Sequence, residues 1–123
     1  MQLNSDYKLH RNRKIRNYEY DIIAVSKRSN EDIIYEIKAW DNLITRSNFM
    51  HTCEKMFKAE QNYKEYMERK CHSVLMVVTK QDVIDYIQKN KMDESIKERY
   101  GMQIEFLDMQ SLWPENKDTI QVR

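Results

Sequence analysis

Two carboxylates and an amine, at Asp21, Glu36 and Lys38, each stand among apolar residues in stretches that have the composition of β-strands. Residues two positions apart on a strand share a face, so Glu36 and Lys38 would project together, and a neighbouring strand would bring Asp21 beside them. Charged groups gathered on an apolar sheet are costly unless something binds there. The chemistry that these residue types suggest is metal-assisted hydrolysis of a phosphodiester bond.

The expected metal is Mg²⁺, which prefers oxygen and takes one or two carboxylates while keeping several waters. We expect Asp21 and Glu36 to be its ligands, with the backbone carbonyl of Ile37 as a further ligand and Glu19 as a supplementary one. The metal would lower the pKa of a bound water and polarise the phosphate. Lys38 would orient that water or stabilise the developing negative charge.

The order of predicted elements places these residues on an antiparallel hairpin at the start of a mixed α/β core. The elements are strands at 17–26 and 32–40, a helix at 46–70, a buried strand at 73–79, a helix over 81–100 that breaks near Asn90, and a strand at 102–107. Residues 7–16 would add an earlier, more polar strand. Thr45 or Ser47 is the expected N-cap of the long helix, and Gly101 stands where a helix ends.

Asp21 followed by Glu36-Ile37-Lys38, together with this order of elements, resembles the PD-(D/E)xK superfamily of restriction-endonuclease-like nucleases. The resemblance covers residues 17 to 107. It implies a Mg²⁺-dependent endonuclease or exonuclease acting on DNA, with RNA as the other substrate class and Mn²⁺ as a substitute metal. It also implies that Asp21 and Glu36 are metal ligands and that Lys38 is the catalytic lysine. The sequence departs from the family in Tyr20, which stands where the proline is expected, and in lacking the usual N-terminal helix.

The charge distribution predicts where nucleic acid would be held. The chain has 21 Lys+Arg against 20 Asp+Glu, a net charge of +1, but residues 1–16 alone carry +4 and leave −3 for the rest. A basic arm beside a metal site would attract a phosphate backbone locally. The expected contacts are Lys8, Arg11, Arg13, Lys14 and Arg16 in the arm, and Lys55, Lys58 and Gln61 on the long helix.

A length of 123 residues predicts one domain, with a basic arm or edge strand at 1–16, a core at 17–107 and a C-terminal tail at 108–123. Trp113-Pro114 suggests a short packed turn in that tail. The apolar runs are far shorter than the roughly 20 residues that span a bilayer, so no membrane partner is expected. Cys53 and Cys71 have no CxxC spacing, and no secretory signal is visible. We therefore expect a cytoplasmic protein with two structural thiols.

Two other interpretations fit the same residues. One is a non-catalytic nucleic-acid-binding or assembly module that retains the nuclease fold. The other is an unrelated α/β fold in which Glu36 and Lys38 simply face water. A homodimer, or a partner domain that completes the core, is compatible with either nuclease-like interpretation. The sequence leaves DNA or RNA, strand type and sequence preference open.

Overall fold

A five-stranded sheet and three helices make up the part of the chain that the computed structural model describes, residues 6–41 and 44–112. The elements are β1 (Tyr7–Ile15), β2 (Tyr18–Ser26), β3 (Glu31–Trp40), α1 (Arg46–Met67), β4 (Lys70–Thr79), α2 (Gln81–Lys89), α3 (Met92–Tyr100), β5 (Gln103–Asp108) and a 3₁₀ turn (Met109–Leu112). Strands β1, β2 and β3 are antiparallel neighbours, whereas β4 and β5 run parallel to β3. This is the mixed α/β class that the sequence predicts. Trp113-Pro114 lies outside the described residues.

The helix boundaries follow from local backbone chemistry. Thr45 is the N-cap of α1, where its Oγ1 accepts a hydrogen bond of 3.1 Å from the backbone N–H of Asn48. α1 ends at Met67, three residues earlier than predicted, where Glu68 adopts a left-handed backbone conformation with φ of 56°. The predicted break near Asn90 is confirmed, because Lys91 is left-handed as well and separates α2 from α3.

Gly101 ends α3 with φ of 68°, and its N–H donates to the carbonyl of Lys97. A Cβ at this position would meet nothing within 4 Å, so the cost of adding one is the backbone conformation alone. We expect Gly101→Ala to lower the free energy of unfolding by about 1 kcal/mol, and Gly101→Asn to cost less, since Asn tolerates this conformation. Urea unfolding measures both, and an alanine variant as stable as the native chain would contradict the assignment.

The three described helices lie on one face of the sheet. The crossovers β3–α1–β4 and β4–α2–α3–β5 step across the sheet in the same direction, and such crossovers are almost always right-handed. The shared core combines residues of each helix with β4: Phe49, Ile87, Ile96, Leu75 and Val77. We call this side the helix-covered face. The opposite side, which we call the second face, carries a smaller buried cluster of Ala24, Tyr35 and Val74.

An ion pair between the buried Asp32 and the partly exposed Arg69 fixes the end of the β2–β3 hairpin that lies away from Asp21 and Glu36. Asp32 is fully buried and accepts two hydrogen bonds from the Arg69 guanidinium, at 2.6 and 2.8 Å. Its carboxylate also accepts from the Tyr63 hydroxyl at 2.6 Å and from the Ser26 N–H at 3.0 Å. The turn is thereby tied to α1 and to the start of β4.

Cys53 and Cys71 are both free and buried. Burial raises the pKa of each thiol to about 12, which keeps both protonated at neutral pH. Within the described residues, none of the helices has the length and hydropathy to cross a membrane.

Candidate functional site

The candidate site begins where β2 and β3 part. Their backbone pairing runs from Ala24 opposite Ile33 to Ile22 opposite Tyr35, and the next two residues in register are Asp21 and Glu36. Here Asp21 Oδ2 accepts a hydrogen bond of 2.9 Å from the Ile37 N–H. A side-chain carboxylate therefore takes the position of a ladder hydrogen bond, which holds it in the gap between the strands and next to Glu36.

The Ile37 carbonyl faces β2, as the Ile37 N–H does. The N–H and C=O of one strand residue point toward the same neighbouring strand, and the N–H of Ile37 already meets Asp21. The Ile37 side chain projects to the second face, and it is 40% exposed. The backbone oxygen predicted as a metal ligand therefore faces β2, the strand that carries Asp21.

Glu36 and Lys38 project from the helix-covered face, as their spacing predicts. Lys38 Nζ lies 3.6 Å from Glu36 Oε2, and the side chains are 40% and 22% exposed, respectively. Burial and the nearby Asp21 carboxylate raise the pKa of Glu36, while the positive charges of Lys38 and Lys55 act in the opposite direction. A cation between the two carboxylates would relieve the same repulsion that raises this pKa.

Glu36 and Lys38 line an open cleft of about 600 Å³ between the sheet and α1. One stripe of α1 lines it with His51, Lys55 and Lys58, which are spaced by four and three residues and so share a helix face. The β1–β2 end contributes Lys14 and Glu19, among others. The cleft therefore combines Glu36 and Lys38 with an excess of positive charge, the electrostatic environment that suits a phosphate backbone, whereas Asp21 is not among its lining residues.

The structure places three of the eight predicted nucleic-acid contacts in the cleft. Lys14, Lys55 and Lys58 line the cleft, whereas Lys8, Arg11, Arg13, Arg16 and Gln61 do not. Arg16 lies 4.9 Å from the centre of the Tyr66 ring and forms an ion pair with Glu65. Arg13 shares a contact of 3.0 Å with His10 Nδ1, and Gln61 is an exposed residue of α1. The basic arm is therefore an edge strand whose charges point in several directions.

A distortion beside Asp21 is the feature that the strand pattern did not predict. The β1–β2 register pairs Arg11 with Ile22 and Arg13 with Tyr20, but the intervening Asn12 and Asp21 are unpaired, and Asn12 has φ of 50°. Asn adopts this left-handed conformation more readily than most residues, which is the one local signal for it. On a regular strand, Tyr20 and Ile23 would project to opposite faces because they are three residues apart. Here both pack in the same buried cluster, so the alternation is broken.

The donor set suits Mg²⁺ better than a softer metal. Throughout ranges 6–41 and 44–112, three or more His, Cys, Asp or Glu side chains do not gather anywhere in a metal-binding group. A cation would be held by the Asp21 and Glu36 carboxylates and the Ile37 carbonyl. Few carboxylates, hard oxygen donors and room for water are what Mg²⁺ commonly uses, and zinc sites need more protein ligands.

The comparisons with known proteins concern shape alone. No protein-family model and no curated protein matches this chain. Among solved structures, the fold is similar to that of a repair endonuclease from Pyrococcus abyssi, with a TM-score of 0.48 and 16% sequence identity. The similarity covers 85% of this chain and 39% of the other, so this chain spans about two fifths of that protein's length. A similarity of this degree does not assign an activity.

Proposed function

We propose that this chain is a Mg²⁺-dependent nuclease of PD-(D/E)xK type that hydrolyses phosphodiester bonds in DNA, with RNA as the other substrate class. One observation carries the proposal. Asp21 accepts from the Ile37 N–H where β2 and β3 part and acts electrostatically on Glu36, Lys38 lies 3.6 Å from Glu36, and Glu36 and Lys38 open into a cleft that Lys14, Lys55 and Lys58 also line.

In this proposal Asp21 and Glu36 hold the metal together with the Ile37 carbonyl. The Ile37 N–H orients the Asp21 carboxylate before any metal arrives, because it donates to Oδ2 and leaves the other oxygen available. When bound, Mg²⁺ lowers the pKa of a coordinated water and polarises the scissile phosphate. The remaining contributions come from side chains that the structure describes.

The lysines would supply positive charge both beside the proposed metal ligands and along the rest of the cleft. Lys38, 3.6 Å from Glu36, is placed to stabilise the negative charge that develops on the phosphate or to orient the attacking water. Lys14, Lys55 and Lys58 would contact flanking phosphates from two sides of the cleft. These flanking contacts would position the strand without reading its sequence.

Metal binding tests the assignment without relying on turnover. We expect titration calorimetry to show Mn²⁺ and Mg²⁺ binding that Glu36→Gln weakens at least about tenfold, since one of two carboxylate ligands is lost. Glu54→Gln, an exposed residue of α1 outside the cleft, is the matched control and should leave binding unchanged. Equal affinity in the two variants would refute Glu36 as a ligand.

A binding module that retains the fold is the second candidate. The observation in its favour is the ion pair between Lys38 and Glu36, which partly neutralises the site without a metal. It predicts salt-dependent DNA binding with no heat of Mn²⁺ binding and no cleavage of plasmid or single-stranded DNA at any Mg²⁺ concentration. Cleavage that a chelator abolishes would exclude it.

A further inference from the structure

A second hollow, which we call the groove, lies between the edge strand β1 and the last turns of α1. Its volume is about 260 Å³, and the described residues that line it are His10, Arg13, Lys14, Ile15, Ile23, Val25, Tyr63 and Met67. Lys14 lines the cleft as well, so the two hollows meet at its side chain. The proposed metal site uses none of the other residues of the groove.

A contact between the end of β1 and α1 separates the groove from the cleft. Along α1 the last residue of the cleft is Ala59, and the first residue of the groove is Tyr63. Between them, Asn62 Nδ2 donates to the Ile15 carbonyl at 3.2 Å. A nucleic-acid strand that leaves the cleft beside Lys14 therefore enters the groove once it has passed this contact.

The distortion at Asn12 places Arg13 in the groove. On a regular strand Arg11 and Arg13 would share a face. Here Arg11 pairs with Ile22, which packs on the second face, whereas Arg13 pairs with Tyr20, which packs in the cluster beneath α1. Directly paired residues project to the same face, so the two arginines point to opposite sides of the sheet.

His10 orients the Arg13 guanidinium. The two side chains meet at 3.0 Å through His10 Nδ1. Arginine has donors only, so Nδ1 accepts this hydrogen bond, and the neutral imidazole then carries its hydrogen on Nε2. Together with Lys14, the wall of the groove therefore supplies two cations and one further N–H donor.

The acidic residues nearby leave this positive charge in excess. Asp and Glu are absent from the described residues that line the groove. Glu19, opposite Lys14 in the β1–β2 register, lines the cleft instead. At the end of α1, Glu65 forms an ion pair with Arg16, and Glu68 is an exposed residue outside the lining set.

The floor of the groove is apolar. Ile23 and Tyr63 are buried beneath it, and the Tyr63 hydroxyl already donates to Asp32. Val25 is partly buried, and Met67 is 42% exposed. A cationic wall above an apolar floor is complementary to an unpaired nucleotide, which has an anionic phosphate and a base with free apolar faces.

We propose that the groove binds one unpaired nucleotide of the DNA strand that occupies the cleft, an inference that rests on the proposed function. Arg13, Lys14 and the His10 Nε2–H contact its phosphate, and its base packs on Val25 and Met67. A base inside a duplex is stacked and offers no free face. The proposal therefore assigns the substrate class, which is DNA with a single-stranded segment next to the scissile bond.

Fluorescence anisotropy in EDTA tests the proposal with a single strand of about 16 nucleotides and the blunt duplex of the same sequence. The native chain should bind the single strand at least about fivefold more tightly. Arg13→Ala should weaken that binding about five- to tenfold and lower the slope of log K against log salt by about 0.7. Arg11→Ala is the matched control, an exposed arginine of the same strand on the second face, and should change the Kd less than about twofold.

The base contact has its own pair of variants. Met67→Ser should weaken single-strand binding about threefold and leave duplex binding unchanged, because only an unpaired base reaches the floor. Leu9→Ser is the control, since Leu9 is also 42% exposed but lies opposite Ala24 on the second face. It should change neither affinity. A Met67→Ser protein with native affinity for the single strand would refute the base contact.

Cleavage in Mg²⁺ connects the groove to the cleft. Arg13→Ala should raise the KM for a single strand about fivefold and leave kcat near the native value, because the groove does not hold the scissile phosphate. Equal binding of single strand and duplex by the native chain would overturn the proposal, as would equal affinities of Arg13→Ala and Arg11→Ala. Cleavage that requires Glu36 but is indifferent to Arg13 would refute the groove and retain the proposed function.

Discussion

Lys38→Ala is expected to lower the rate of DNA cleavage about 10²–10³-fold while the protein stays folded, because it removes the positive charge nearest to the proposed metal ligands. Lys38 is 40% exposed and forms an ion pair of 3.6 Å with Glu36 near the surface, so thermal unfolding should change little. Single-turnover cleavage of a labelled DNA in Mg²⁺, with circular dichroism of the same preparation, measures both quantities.

Lys58→Ala is the matched control for that experiment. Lys58 lines the same cleft from α1 but contacts none of the proposed metal ligands, so its loss should weaken DNA binding and reduce the slope of log K against log salt by about one. The cleavage rate at saturating DNA should stay close to native. If Lys38→Ala and Lys58→Ala behave alike, with binding lost and the rate retained, then Lys38 is a phosphate contact and its catalytic assignment fails.

Removal of the Asp32 carboxylate is expected to have the largest effect on stability. Asp32 is fully buried, and Asp32→Ala would leave the Arg69 guanidinium and the Tyr63 hydroxyl without their shared acceptor. Breaking one side of a fully buried ion pair costs about 3–5 kcal/mol, and we expect a value near the lower end because the Arg69 side chain is 27% exposed. Tyr63→Phe removes a single hydrogen bond and should cost about 1–2 kcal/mol, which keeps the prediction measurable if Asp32→Ala does not fold.

Glu31, which directly precedes Asp32, provides the control for this stability comparison. Glu31 pairs with His72 at 3.2 Å, but both side chains are nearly half exposed, so Glu31→Ala should cost less than about 1 kcal/mol. Urea unfolding of the native chain, Asp32→Ala, Tyr63→Phe and Glu31→Ala measures the order of their free energies of unfolding. An Asp32→Ala protein as stable as Glu31→Ala would show that the buried network contributes nothing beyond a surface pair.

The same network predicts how stability depends on pH. Burial alone would raise the pKa of Asp32, but the hydrogen bonds from Arg69, Tyr63 and the Ser26 N–H outweigh it, so the folded-state pKa lies below the usual value. A lowered pKa stabilises the fold at pH values above the unfolded-state pKa of about 4, and the contribution is lost as the pH falls through the folded-state value. The native chain should therefore lose stability in acid more steeply than Tyr63→Phe, whose Asp32 has one hydrogen bond fewer.

The hairpin and the order of elements were predictable because they depend on local patterns. Alternating apolar residues define β2 and β3, helical spacing defines α1, and the continuous apolar run defines β4. Glu36 and Lys38 share a face for the same reason, since an uninterrupted strand has a period of two. The N-cap at Thr45 and the left-handed end at Gly101 are likewise properties of single residue types.

The directions of the charged side chains in the basic arm could not be predicted from local patterns. Five cations close together in sequence suggest one phosphate-binding surface, yet only Lys14 lines the cleft. Arg16 contacts Tyr66 and Glu65 near the end of α1, and Arg11 projects to the second face, away from the cleft. Alternation sends neighbouring strand residues to opposite faces, and the distortion at Asn12 shifts that alternation midway along the strand.

By itself, the sequence indicated which residues are candidate metal ligands and which strands carry them, because residue type and local period are properties of the chain alone. Tertiary structure decided that Asp21 accepts from the Ile37 N–H where the β2–β3 ladder ends. It also decided that Asp32, which like Asp21 is a carboxylate among strand residues, is bound by Arg69, 37 residues further along the chain. The difference between a candidate ligand and a structural carboxylate depends on partners brought together from distant positions, and local pattern contains no information about those partners.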